Sequence, residues 1–315
     1  MNDSTRVPDF DSYATPPLTK ICARVHAFRY SIDPGVISIS RASWALWLLG
    51  YPDQALHRSQ ETLALARALA HPYSQANALC FAAMFHQFRR EALVVQELAE
   101  ATIRLATEQG MAQRMAVGTF LQGWAMVVQG RGEDGLVQMR QGLANHRATG
   151  TLLDLPWYLG VLADACKHTG RVEEGLEILA EAQVATDATD FYEAELYRLK
   201  GELLLAQSDN GLQLCEAEGS FQQALDVARH QQAKSLELRA AISLGRLWHQ
   251  QGKHSDAHEL LAPIYNWFTE GFDTVDLQEA KALLDRWASD FSVVSFRPGF
   301  MRISEGYSMK SHMNQ

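Results

Sequence analysis

Three stretches carry residues whose types and spacing could do chemistry. GRGEDG at 130–135 fits G-x-G-x-x-G, the spacing by which backbone amides cradle a dinucleotide pyrophosphate. His254 and His258 stand four apart, which on a helix puts two imidazoles on one face, as metal ligation needs. Asp164, Lys167 and His168 fall within little more than one helical turn and could in principle exchange a proton. Each loses force on inspection. The glycine fingerprint needs a strand before it, yet Leu121, Trp124, Ala125 and Val128 recur at i, i+3, i+4, i+7, which is helical spacing. Glu133 and Asp134 sit where a phosphate would approach, and their charge suits a helix N-terminus instead. The two histidines belong to no H-E-x-x-H and bring no third ligand, so they are expected as surface residues near a turn. The Asp164 cluster is expected on a solvated face. No G-x-S-x-G, Cys–His grouping or G-x4-G-K-[ST] is legible, and neither catalysis nor a cofactor or metal is expected.

What, then, positions these residues? The chain has 315 residues, 47% hydrophobic and 21% charged, enough to bury a core. A net charge of −9 disfavours nucleic acid, whose binding rests on phosphate neutralisation. No apolar run approaches the roughly 18–20 residues of a membrane span, and no secretory signal is visible at the start. Cys22, Cys80, Cys166 and Cys215 are far apart, with no CxxC pair, so a reduced cytoplasmic setting is expected.

The positioning elements are repeats. The turns LLGYPDQAL (48–56), QGRGEDGL (129–136), HTGRVEEGL (168–176) and QQGKHSDAH (250–258) share a pattern, and HQFRREAL (86–93) is a version without the glycine. A small residue follows each: Ala55, Ala92, Gly135, Gly175 and Ala257, with Ala217 after a longer turn, at spacings of 37–43 residues. Twelve before each in the short-turn units stand Ser43, Cys80, Gly123, Ala163 and Gly245, and Gly201 matches in the long-turn unit. Small residues in both registers let two helices approach closely. The glycines of GRGEDG are therefore expected as a helix stop, Gly130, and a helix-contact residue, Gly135.

This is a pattern of two helices per unit, and it resembles the tetratricopeptide repeat (TPR). YRLKGELL (197–204) and AEGSFQQA (217–224) carry Gly201, Ala217, Phe221 and Ala224 in the TPR positions, although the units exceed the usual length of about 34 residues. More specifically, ALWLLGYPDQAL (45–56), FHQFRREAL (85–93), YEAELYRLKGELLLAQ (192–207), HQQAKSLELRAAISLGRLWHQQGK (230–253) and FTEGFDTVDLQEAKALLDRW (268–287) are similar to the C-terminal TPR-like solenoid of bacterial cyclase-type signalling ATPases. The resemblance spans roughly 24–288 and carries over no ATPase or cyclase domain. It implies an all-α superhelix of about six hairpins with a capping helix.

The predicted hairpins are 35–70, 73–109, 112–148, 154–187, 190–231 and 233–270, closed by a helix at 274–288. Asp190 and Glu193 are placed to cap the fifth. Residues 1–17 read as a loose leader, 18–30 as a partial helix, and 289–315 as a tail. In a TPR-like solenoid the first helix of each hairpin lines the concave face. The register puts Trp44, Trp47, Asn77, Phe81, Phe120, Trp124 and Trp157 there in the N-terminal half, and Asp164, Lys167, Glu195, Arg198, Glu202, Arg239, Arg246 and His249 in the C-terminal half. The expected function is a non-catalytic interaction scaffold or regulatory module that binds a protein or peptide partner, such as a signalling ATPase or cyclase. The alternative is a small-molecule effector sensor. An open groove of mixed charge would favour the scaffold, and an enclosed aromatic pocket the sensor.

Overall fold

The computed structural model describes residues 32–185, 191–207 and 211–294. The predicted leader, the 18–30 helix, Asp190 and the tail beyond 294 lie outside them. The described residues form thirteen α-helices and no strand. They run as six antiparallel hairpins: α1 (Pro34–Leu48) with α2 (Pro52–Leu69), α3 (Pro72–Phe88) with α4 (Ala92–Glu108), α5 (Ala112–Val128) with α6 (Gly132–Ala148), α7 (Leu155–His168) with α8 (Val172–Ala185), α9 (Glu193–Gln207) with α10 (Gly211–His230), and α11 (Lys234–Gln250) with α12 (His254–Trp267). A final helix, α13 (Val275–Val294), runs six residues past its predicted end.

One turn chemistry makes five of the hairpins. Gly50, Gly130, Gly170 and Gly252 take left-handed backbone angles of +91°, +89°, +73° and +81°. The next amide then bonds back five residues, as Tyr51 does to Leu46 (2.9 Å), Arg131 to Met126 (2.9 Å) and Lys253 to Trp248 (2.9 Å). This satisfies the carbonyls left over at a helix end. The second hairpin makes the same turn with Arg90 at φ +64°. GRGEDG is thus a helix stop and a helix start, with Gly130 open to solvent and Gly135 packed on the partner helix. A Cβ on Gly135 would stand 2.5 Å from the Gly123 carbonyl oxygen, and one on Gly123 2.7 Å from that of Gly135. The same register appears where the Ser43 hydroxyl donates to the Ala55 carbonyl (2.8 Å). In the long-turn unit Gly201 instead makes room for the Phe221 ring.

The first helices pack side by side in order, α1 on α3, α3 on α5, α5 on α7, α7 on α9 and α9 on α11, and the row curves until α11 meets α1. The two ends are fastened together. The Glu270 carboxylate, between α12 and α13, accepts the backbone N–H groups of Asp53 (3.0 Å) and Gln54 (3.1 Å) and the Gln54 side-chain amide (3.1 Å). Those amides open α2, whose own N-cap residue, Tyr51, makes no side-chain cap. The Asp53 carboxylate accepts the Gly271 N–H in return (3.1 Å). Beside this clasp the Ser235 hydroxyl donates to the Trp47 carbonyl (2.5 Å), and Trp267 packs on Tyr51.

Candidate functional site

A row of helices that meets its own start has an inside, and the two halves of that inside differ. Trp44, Phe81, Phe88, Trp157 and Phe191 meet there from α1, α3, α7 and the segment before α9. Trp47 stacks on Phe88 at 5.1 Å. Phe120 adds its edge to Tyr158 at 4.9 Å and a tilted contact to Trp157 at 5.8 Å. The indole N–H groups are satisfied internally, Trp44 by the Phe81 carbonyl (3.2 Å) and Trp157 by the Gln87 side chain (3.1 Å). Trp44, Trp47, Asn77, Phe120, Trp124 and Trp157 are all buried, and Phe81 is half-buried. The Asn77 amide donates to the Tyr73 carbonyl of its own helix (2.8 Å). Most of the N-terminal set is thus covered within the protein, with Trp44, Trp47, Phe81, Phe120 and Trp157 each packed on other aromatic rings. Trp124 lines an open cavity.

That cavity, about 260 Å³, is where the C-terminal set converges. Asp164, Lys167, Glu195, Arg198, Glu202, Arg239 and Arg246 line it. The sequence reading missed Arg90, Asp276 and Glu279, which line it too. His249 does not: it stacks on Trp287 of the closing helix at 5.3 Å and meets His254 edge-on at 4.3 Å. His254 and His258 are half-buried rather than fully exposed, and among the described residues no group of three or more His, Cys, Asp or Glu could hold a metal.

The cavity's charges alternate in one chain of contacts. His168 and Lys167 approach Asp164 at 3.8 and 3.2 Å, and Lys167 reaches Glu202 at 3.7 Å. Arg198 forks onto both oxygens of Glu195 (2.9 and 2.7 Å) and extends to Glu202 at 3.4 Å. Glu195 also meets Arg239 at 3.5 Å, Arg239 bonds Asp276 at 2.8 Å, and Arg90 bonds Asp276 (3.2 Å) and Glu279 (2.8 Å), with Arg246 on the other oxygen of Glu279. Arg239 is fixed further by donating to the Phe88 carbonyl and lying over the Trp47 ring at 5.0 Å. The solvated face expected for Asp164, Lys167 and His168 is in fact one wall of this pocket.

Exposure grades the network into floor and rim. The side chains of Glu195 and Arg239 are 5% and 10% exposed, whereas Arg246, Arg90 and His168 are 44%, 47% and 47% exposed. Burial by itself would raise the Glu195 carboxyl, and the Arg198 and Arg239 guanidiniums outweigh it, holding the group below the usual carboxylate range. Glu202 is held low against burial by Arg198 and Lys167, and Glu279 by Arg246 and Arg90. The neighbouring cations thus favour the ionised form of all three carboxyls.

No family model matches the chain. It is similar to an uncharacterized protein of Rhizobium meliloti (strain 1021), with 24% identity over 217 residues. The match covers 68% of this chain and 21% of that protein, so the chain spans about a fifth of its relative's length. Among the described residues, no helix is long and apolar enough to cross a membrane.

Proposed function

We propose that the chain is a non-catalytic regulatory module of a bacterial signalling system, a TPR-like superhelix that senses a small charged effector in its central pocket. The observation that carries this reading is the convergence of ionised side chains from α7, α9, α11 and α13 on one small cavity, with the row of helices closed around it. A volume of about 260 Å³ lies just below the usual range for ligand sites, which suits a small molecule better than an extended polypeptide. The five repeat-bearing segments support an association with a cyclase-type signalling ATPase, and a relative far longer than the match is compatible with a module that works inside or beside a larger protein. A bound effector would bias how tightly the first and last hairpins hold together, which is a differential interaction of the kind population shift requires.

The mixed charge of the lining supports a second reading, a scaffold that receives the charged end of a partner polypeptide. One experiment separates the two. Val128 is 45% exposed on the pocket wall, so Val128→Trp should obstruct the mouth without disturbing the core. Charged metabolites screened by thermal shift should include at least one that stabilises the wild type and not Val128→Trp. If none does, while a protein partner binds both forms equally, the sensor reading is wrong.

A further inference from the structure

The rim of the pocket is more specific than its floor. Arg239 and Arg198 spend every guanidinium nitrogen on the protein. Arg90 and Arg246 do not. Arg90 bonds its carboxylates through one terminal nitrogen, Nη1, and Arg246 through Nη2. The other nitrogens of both forks make no hydrogen bond to the described protein. The two guanidiniums stand on opposite oxygens of the single Glu279 carboxylate, which places them within reach of one small molecule. They come from distant parts of the helix row, Arg90 from the second hairpin turn and Arg246 from α11, and closure of the row brings them together.

Arg90 also differs from the equivalent residue of other hairpin turns. Four other hairpin turns put glycine at the left-handed position, and this one holds an arginine at φ +64°. A non-glycine residue there costs roughly 1 kcal/mol of backbone strain. Ala70, Asp154 and Gln232 are also left-handed in turns between hairpins, and Arg90 differs from them in carrying a guanidinium fork into the cavity.

We infer that Arg90 and Arg246 form an oxyanion site at the mouth of the pocket, taking a small molecule that presents a phosphate or carboxylate group to both guanidiniums. This rests on the pocket being a ligand site and names the chemistry of what enters. Guanidinium forks match such oxygens two at a time. The carboxylates of the network lie deeper: Asp276 and Glu195 are 11% and 5% exposed, so an arriving ligand meets cations first. The chain as a whole carries −9, so the attraction is local to the rim and should weaken with salt. Glu279 is the built-in competitor, because its carboxylate occupies the position a ligand oxygen would take between the forks.

The test uses the full chain at low ionic strength, titrated calorimetrically with inorganic phosphate and separately with succinate, which distinguishes the two sources of oxygen. Putrescine serves as a cationic probe. Arg90→Gly restores the glycine of the sister turns, so the relief of backbone strain offsets part of the loss of the ion pairs to Asp276 and Glu279, and urea denaturation of the variant checks that it is folded. At least one of the two anions should bind saturably, about tenfold or more weakly in Arg90→Gly and in Arg246→Gln, since a hydrogen bond to a charged group is worth roughly that factor or more. Glu279→Gln should bind it several-fold more tightly. No saturable anion binding, or binding indifferent to Arg90→Gly and Arg246→Gln, overturns the inference. Saturable putrescine binding that Val128→Trp abolishes, with neither anion bound, would overturn the oxyanion assignment and leave the pocket reading standing.

Discussion

Replacing Gly271 by alanine should loosen the clasp that joins the last hairpin to the first. Two effects act together. Gly271 has φ +74°, where a Cβ costs about 1 kcal/mol. That Cβ would also stand 1.9 Å from Cγ of Pro52, and a proline ring, tied to its own backbone at the start of α2, can give way little beyond a change of pucker. Overpacking of this kind costs roughly 1–3 kcal/mol. The Asp53-to-Gly271 bond would be drawn apart with it. The expected loss is therefore about 2–4 kcal/mol, a large share of the 5–15 kcal/mol typical of a folded domain. Gly252→Ala is the matched control: its φ is +81°, and nothing lies within 4 Å of the added Cβ. It should lose only the backbone part, about 1 kcal/mol. Urea denaturation gives the two losses. Hydrogen exchange then locates them: in Gly271→Ala the amides of Asp53 and Gln54, which Glu270 holds, should lose protection while those of α5 and α6 keep theirs. Equal destabilisation by the two alanines would refute the reasoning, because it would mean that the seam is not packed as described.

Other consequences can be measured on the same preparations. Gly245→Leu should cost about 2–4 kcal/mol by urea denaturation, because a Cβ there already stands 2.9 Å from Trp287, whereas Lys253→Leu at an exposed site should change stability by about 0.5 kcal/mol. Glu195→Ala should cost about 3–5 kcal/mol, since it leaves Arg198 and Arg239 buried without their shared carboxylate, and a loss below about 1 kcal/mol would show the network to be solvated. His146 is 3% exposed against Tyr158, and burial lowers its pKa. A group depressed on folding contributes stability above its unfolded pKa and loses it as pH falls, so wild-type stability should begin to drop below about pH 6.5. His146→Phe should remove that early drop and keep the later one below about pH 4.5, where the unfolded chain begins to take up protons that the depressed carboxyls of Glu195, Glu202 and Glu279 still refuse in the fold. Finally, GRGEDG is a turn, so titration with NAD or ATP should show no binding that Gly132→Ala abolishes, and Gly135→Leu should disrupt the fold by driving into the Gly123 carbonyl.

The hairpins were legible because their signals are local. A glycine that stops a helix, and a small residue at a fixed distance on each side, are written within twenty residues of one another, and the described helix ends fall within a few residues of the expected ones. Closure was not legible. Glu270 and Asp53 are 217 residues apart, and nothing near FTEGFDT marks it as a partner for the start of α2. The bend that brings them together is the sum of small rotations between successive hairpins, set by many side chains, none of which carries the sum. Asp276 and Glu279 were missed on similar grounds. On their own helix they are an ordinary i, i+3 acidic pair near an N-terminus. Arg90 was different, because the turn lacking glycine was visible in the sequence and could have been asked what its arginine was for.

Closure also explains why one register yielded two outcomes. On an open solenoid an inward aromatic and an inward arginine would both be surface. Once the row returns on itself, each inward side chain meets others from across the interior, and its chemistry decides whether the space between them fills. Trp44, Trp47, Phe88 and Trp157 gain by excluding water from one another, so their half of the interior fills. Arg198, Glu195, Arg239 and Asp276 can share that interior only as hydrogen-bonded pairs, and their rim partners hold their charges toward water. A cavity therefore persists at the charged half. The pocket then depends on the seam. Variants that open the clasp, Gly271→Ala first, should weaken whatever the pocket binds even though Gly271 touches none of its lining, whereas Gly252→Ala should leave that affinity unchanged. Loss of affinity in both variants, or in neither, would mean that the pocket stands independently of the closure.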